Sequence, residues 1–337
     1  MHEPASEPAN DWQFIRRNFV RFVIGTVLAV AVYCSILVFF TCQTFQRENQ
    51  ITRQIEDLGG KVGYGYRGPN WVPQSIRIRM PRLDRITYVD LSPAGSAGVS
   101  ISVLSEVGSL ACLESLYLSH SQVSDTGLEN LKGLANLKFL CLDETHVTDA
   151  GLESLKRLTK LNYLALKSTK VTDAGMEHLK GLVNLVSLDL SDTQVTDAGL
   201  EQLKELTSLK SLVLSNKVTN DGLKHLKDLS NLESLGLPGM HITNEGLEHL
   251  TALTSLKVLG LYKSDVTDSG LVQLARLTNL AVLSLNNTRV TDAGLVQLKG
   301  LKFLKVLYVR NSQVTDTPSL RQALPSCHID PFDHYDL

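Results

Sequence analysis

The chain has 337 residues, with 33 lysines and arginines against 35 aspartates and glutamates, for a net charge of −2. That balance excludes the strongly basic composition which nucleic acid or an anionic surface selects, so no nucleic-acid partner is expected. Five cysteines, Cys34, Cys42, Cys112, Cys141 and Cys327, make no CxxC pair and no zinc-like spacing, and are expected to be small, partly buried residues without redox or metal chemistry.

Residues 1–21 form a short N-terminal tail that ends in Arg16, Arg17 and Arg21. From Phe22 to Cys42 the sequence FVIGTVLAVAVYCSILVFFTC carries no charge, and a helix of that length, rising ~1.5 Å per residue, spans a hydrocarbon core of ~30 Å. The segment reads as a single-pass transmembrane signal-anchor. A cleaved signal peptide would have a shorter apolar region ending in an A-x-A-like site, and no small residue of a lipoprotein site precedes Cys34 or Cys42. The arginines on the N-terminal flank predict a cytoplasmic N-terminus and an extracytoplasmic remainder.

Residues 43–68 read as a stalk and a glycine-rich hinge. Ile51, Ile55 and Leu58 fall at helical spacing and suggest a weak self-associating seam, and Gly59, Gly60, Gly63, Gly65 and Gly68 then break the helix. Residues 69–112 are expected to be an N-terminal cap with an irregular first repeat. Within it, Ile76 to Met80 alternates apolar and arginine residues like a half-buried strand. Arg77, Arg79, Arg82 and Arg85 would suit an anionic headgroup, but Asp84 and Asp90 interrupt them, and a solvated cap face is the plainer expectation.

From Leu113 onward leucine recurs every 24 residues, at Leu137, Leu161, Leu185 and Leu209, then after one step of 23 at Leu232, Leu256, Leu280 and Leu304. Each unit reads LxxLxLxx[TS]xV followed by TDxGLxxLxxL, as in Leu185, Leu188, Leu190, Thr193, Val195, Thr196, Asp197, Gly199, Leu200, Leu203 and Leu206. The alternating leucines bury one side of a short strand, and Leu200, Leu203 and Leu206 line one face of a short helix. One unit buries little alone, so stability must come from stacking and capped ends. Thr196 and Asp197, with Thr148 and Asp149, Thr172 and Asp173, and Thr291 and Asp292, stand where helix caps stand, a plainer reading than a calcium array. The glycine two places beyond each aspartate implies either unusual dihedrals or a close neighbour.

This pattern resembles the leucine-rich-repeat family, in its VTDxGL subtype of ribonuclease-inhibitor-like and F-box-associated repeats and of bacterial membrane-anchored repeat proteins. The resemblance covers residues 113–324, leaving 325–337 as a C-terminal cap. It implies an α/β solenoid, a horseshoe with a parallel concave β-sheet and short convex helices, here preceded by one transmembrane helix. It further implies that partners bind the concave sheet face. The outward strand positions put Tyr117, Phe139 and Tyr163 at one end, Tyr262 and Tyr308 at the other, and Asp189 in a serine-rich middle; these are the candidate partner-binding residues.

The short unit at Ser215 to Val218, followed by Pro238, Gly239 and Met240, is expected to alter the local turn and is weighed as a specificity loop or as drift. No catalytic motif is present, and His178, His225 and His249 fall in separate units on the convex side, so no enzyme activity and no cofactor are expected. Cys327, His328, Asp330, Asp333, His334 and Asp336 in the tail could ligate a metal, but a cap in which Ile329 and Phe332 cover the last repeat is preferred. The expected function is that of a membrane-anchored binding or scaffold protein recognising a protein or surface polymer. A structural or self-associating surface protein is the alternative, and an F-box-like substrate receptor for ubiquitin ligation is a poor third because the apolar span stands where an F-box would.

Overall fold

The computed structural model describes residues 32–33, 35–36, 39, 42–66, 84–239, 241–315 and 318–330. They fall into two units, one within residues 1–50 and 65–85 and the other comprising 51–64 and 86–337. The anchor expected over 22–42 lies mostly outside the described residues, and the strand expected at 76–80, with Arg77, Arg79 and Arg82, and the tail from 331 onward lie wholly outside them. Among the described residues no helix is long and apolar enough to cross a membrane. In the first unit, residues 42–50 are helical and Glu48 lies 3.9 Å from Arg85.

The second unit is the solenoid. Its strands are ordered along one sheet as in the sequence: β1 (Lys61–Tyr66), β2 (Asp84–Asp90), β3 (Ser115–Tyr117), β4 (Phe139–Cys141), β5 (Tyr163–Ala165), β6 (Ser187–Asp189), β7 (Ser211–Val213), β8 (Ser234–Gly236), β9 (Val258–Gly260), β10 (Val282–Ser284), β11 (Val306–Tyr308) and β12 (His328–Asp330). From β2 to β12 each strand pairs in parallel with the next, and Leu116, Leu140, Leu164, Leu188 and Leu212 stay in register at the inward position. These leucines and those of the helical turns are fully buried in one continuous core. In place of a single short α-helix, most units have one α-turn, as at Asp197–Leu200, that continues as a 3-10 helix, as at Glu201–Glu205. The three-residue spacing of Leu200, Leu203 and Leu206 suits that tighter winding, which has ~3 residues per turn.

Capping accounts for only part of the Thr-Asp pair. The hydroxyls of Thr148, Thr172, Thr219 and Thr291 do accept from the N–H two residues on, at 3.2 to 3.4 Å, whereas Thr196 makes no such bond. The shorter bonds run between units. Asp125, Asp149, Asp173, Asp197 and Asp268 each accept from the backbone N–H and the hydroxyl of the threonine one unit on, at 2.6 to 2.8 Å. Asn220 and Asn244 continue this ladder by accepting from the N–H of Thr243 and Thr267 and donating to their hydroxyls. Both oxygens of each carboxylate are therefore taken by the next unit. The recurring glycine is explained by the same contact, since a Cβ at Gly151, Gly175, Gly222 or Gly294 would run into the ladder aspartate of the preceding unit.

A second periodic device follows the strands. His120, Glu144, Ser168, Asp192, Lys263, Asn287 and Asn311 all have φ between 52° and 58°. A left-handed L residue costs ~1–2 kcal/mol, and each of several here is offset by an N–H bond to the next unit, as from Glu144 to the carbonyl of Lys167 at 2.8 Å. Gly239 takes this position with φ 65°, so Pro238-Gly239 preserves the turn it was expected to change. The 23-residue unit alone lacks a left-handed residue among those described, and there the buried Ser215 hydroxyl donates to the Thr193 carbonyl instead.

The stalk reading is corrected. Residues 42–57 are helical, but Ile51 and Ile55 are buried in the solenoid's own core with Leu58 packed against it, which consumes the expected self-associating seam. The glycine stretch is in part strand, since Gly63 and Gly65 lie in β1. At the other end β12 extends the sheet and Ile329 packs on the core, while Phe332 lies outside the described residues.

Candidate partner-binding face

The register defines the outward rows of the sheet. First positions read Tyr88, Ser115, Phe139, Tyr163 and Ser187, and third positions read Asp90, Tyr117, Cys141, Ala165 and Asp189. Adjacent strands lie ~4.8 Å apart, so large rings in one row must meet. Phe139 and Tyr163 stack with centroids 5.6 Å apart and planes at 25°, and Tyr88 meets Tyr117 on the diagonal at 5.4 Å and 46°. The register neighbour on the far side of Tyr163 is Ser187, which is too small to cover that ring face.

Carboxylates stand beside the rings. Asp189 Oδ1 accepts from the Ser191 N–H at 2.8 Å and hydroxyl at 2.6 Å, which fixes the group and leaves Oδ2 with no hydrogen-bond donor among the described residues. Asp143 Oδ1 accepts from the Lys167 N–H at 2.9 Å while its Oδ2 lies 3.3 Å from the Cys141 thiol. Asp90 accepts from the Ser92 N–H at 2.9 Å. Burial pushes the Asp143 carboxyl up, against the hydrogen bonds from Cys141 and Lys167. Burial raises the Cys141 thiol too, and pushes the Tyr163 phenol to about 12, with the charges of Cys141, Asp143 and Asp189 adding to it.

Of the residues expected from the sequence, Tyr117, Phe139, Tyr163 and Asp189 come together on this face. Tyr308, in β11, and Tyr262 do not join them. Tyr262 falls two residues beyond its strand, where Gly260 holds the expected position. The Lys263 ammonium already lies 4.9 Å from the centre of the Tyr262 ring. Ser284 is outward in register yet only 5% exposed. Sequence reasoning missed Tyr88, Asp90 and Asp143. Ser115 follows Tyr88 by 27 residues whereas Phe139 follows Ser115 by 24, so the repeat period skips the first ring. On the opposite side, His225 and His249 line an open depression with Lys204, Lys224 and Lys227. No group of three or more potential metal ligands occurs among the described residues.

This architecture, parallel strands joined by helical turns in stacked units, defines a solenoid repeat protein. Residues 109–132 and 182–204, two of its units, match the family model described as Leucine Rich repeat. No curated protein matches the chain. Similar solved structures include an internalin (inlF) from Listeria monocytogenes, 23% identical over 68% of this chain and 77% of that one, with a TM-score of 0.47. An internalin C2 from the same species is 26% identical over 69% and 84%, with a TM-score of 0.42. A leucine-rich-repeat protein of Leptospira interrogans is 19% identical over 67% and 74%, with a TM-score of 0.43.

Proposed function

We propose that the chain is a single-pass, membrane-anchored binding or scaffold protein that recognises a protein or surface polymer through the outward, concave face of its sheet. The observation that carries this reading is the Phe139–Tyr163 stack beside Asp189. Phe139 keeps 40% of its surface exposed there, and aromatic residues set among fixed polar groups are what interface anchors are made of. The units are of the VTDxGL subtype, on the strength of the Thr-Asp ladder and its glycines. No catalytic role enters the reading.

Anchoring rests on the uncharged run from Phe22 to Cys42, and the large exposed side chains of Val32, Tyr33, Ile36 and Phe39 within it suit a lipid surrounding. The flanking arginines favour a cytoplasmic N-terminus with the repeats on the other side. The alternative, a self-associating surface protein, loses its seam with the burial of Ile51 and Ile55.

The test is co-purification from native membranes. Full-length protein carrying Phe139→Ala and Tyr163→Ala should lose its partner, whereas Glu177→Ala with Gln297→Ala, on the helical side, should keep it. Equal retention by both double variants would overturn the assignment of the face.

A further inference from the structure

Resting on that sheet-face reading, we infer that its N-terminal end receives a basic segment of a partner polypeptide, with a lysine or arginine side chain seated between the open face of Tyr163 and the Asp189 carboxylate. Three observations converge on a cation.

The first is geometric. Phe139 covers one face of Tyr163, and Ser187 is the small register neighbour on the other. The third-position residue on the same strand is Ala165, which leaves low ground between the ring and Asp189 one strand further on. A cation over an open tyrosine face is attracted by the ring quadrupole, and the chain uses this contact itself where Lys263 lies over Tyr262.

The second is the state of the carboxylate. Asp189 is held by Ser191 through Oδ1 alone, so Oδ2 remains to accept a hydrogen bond from a guanidinium or ammonium without disturbing the turn. The third is charge. Asp90, Asp143 and Asp189 stand beside the rings, with Lys167 as the cation acting on Asp143, and the burial that still raises Asp143 is the cost a further bound cation would offset. A neutral sugar fits less well, because it brings no positive charge to the carboxylates beside the ring.

The test is fluorescence anisotropy with the full chain in detergent and labelled (Gly-Ser-Arg)4, (Gly-Ser-Glu)4 and a neutral glucan as probes. The arginine peptide should bind, more weakly as salt rises, and Asp189→Asn should weaken it about tenfold. The asparagine keeps Oδ1 for Ser191, so the turn survives. Tyr163→Phe should bind nearly as wild type and Tyr163→Leu several-fold more weakly. Glu177→Gln, on the helical side, should change nothing. Failure of the arginine peptide to bind, equal affinity for the glutamate peptide, equal loss in Glu177→Gln, or glucan binding indifferent to Asp189→Asn would each overturn the inference. A partner captured from the sheet face by a segment without lysine or arginine would overturn it while leaving the proposed function standing; no capture from that face would remove both.

Discussion

Asp173 of one unit holds Thr196 of the next at both its backbone N–H, 2.7 Å away, and its hydroxyl, 2.6 Å away, and Oδ1 also accepts from the Gly199 N–H at 3.0 Å. A Cβ on Gly199 would lie 2.5 Å from that oxygen and 2.9 Å from Val195. Glycine is thus required by a neighbour, not by its own dihedrals.

Gly199→Ala is therefore expected to destabilise the solenoid by ~1–3 kcal/mol through overpacking, although alanine is the better helix former by ~1 kcal/mol. Gly300→Ala is the control, because nothing lies within 4 Å of its Cβ position, and it should be neutral or slightly stabilising. Urea denaturation of both variants checks the pair; a midpoint for Gly199→Ala at or above wild type would refute the steric account.

Removing the clamp itself gives a second expectation. Asp173→Ala strands the backbone N–H and hydroxyl of Thr196, while the Gly199 N–H keeps the Thr196 carbonyl at 3.2 Å, and should cost ~1–3 kcal/mol. Asp173→Asn should cost clearly less, since Asn220 and Asn244 make the equivalent clamp within the same chain. Equal losses in thermal melts of the two variants would show that charge, not the paired geometry, does the holding.

The strand leucines, the stacking and the repeat boundaries were legible because they are periodic in one chain. The ladder was not, because its two partners lie 22 or 23 residues apart and each has a sufficient local explanation as a cap. The left-handed turns were hidden for a different reason: His120, Glu144, Ser168 and Lys263 carry no glycine signal, and only a bond to the following unit makes their backbone tolerable. At the candidate site, Phe139 and Tyr163 were found by reading outward positions down the stack. Tyr88 escaped because the lead-in breaks the 24-residue step.

The short unit supplies a third expectation. Replacing Ser215 to Val218 by Ser-Asp-Thr-Gln-Val should restore the left-handed turn and leave partner binding unchanged, because Gly239 shows that the next turn is already regular. Loss of binding at unchanged thermal midpoint would instead give this loop a role in specificity.

Tyr163 supplies a fourth. The folded phenol titrates at about 12 rather than the ordinary 10.0, so folding favours its protonated form. That contribution is fully present below the unfolded value and is lost as pH rises through the folded one. The tyrosinate absorbance difference between wild type and Tyr163→Phe should rise near pH 12; a rise near pH 10 would mean that the burial and the neighbouring carboxylates do not act on the ring as described.

The most direct measurement is photo-crosslinking in native membranes, with probes replacing Tyr163, Asp189 and Tyr308 on the sheet face and Glu177 and Gln297 on the helical side. The account predicts one discrete partner, captured from Tyr163 and Asp189 and not from the helical positions. Equal capture from both faces, or capture of nothing but the chain itself, would contradict it.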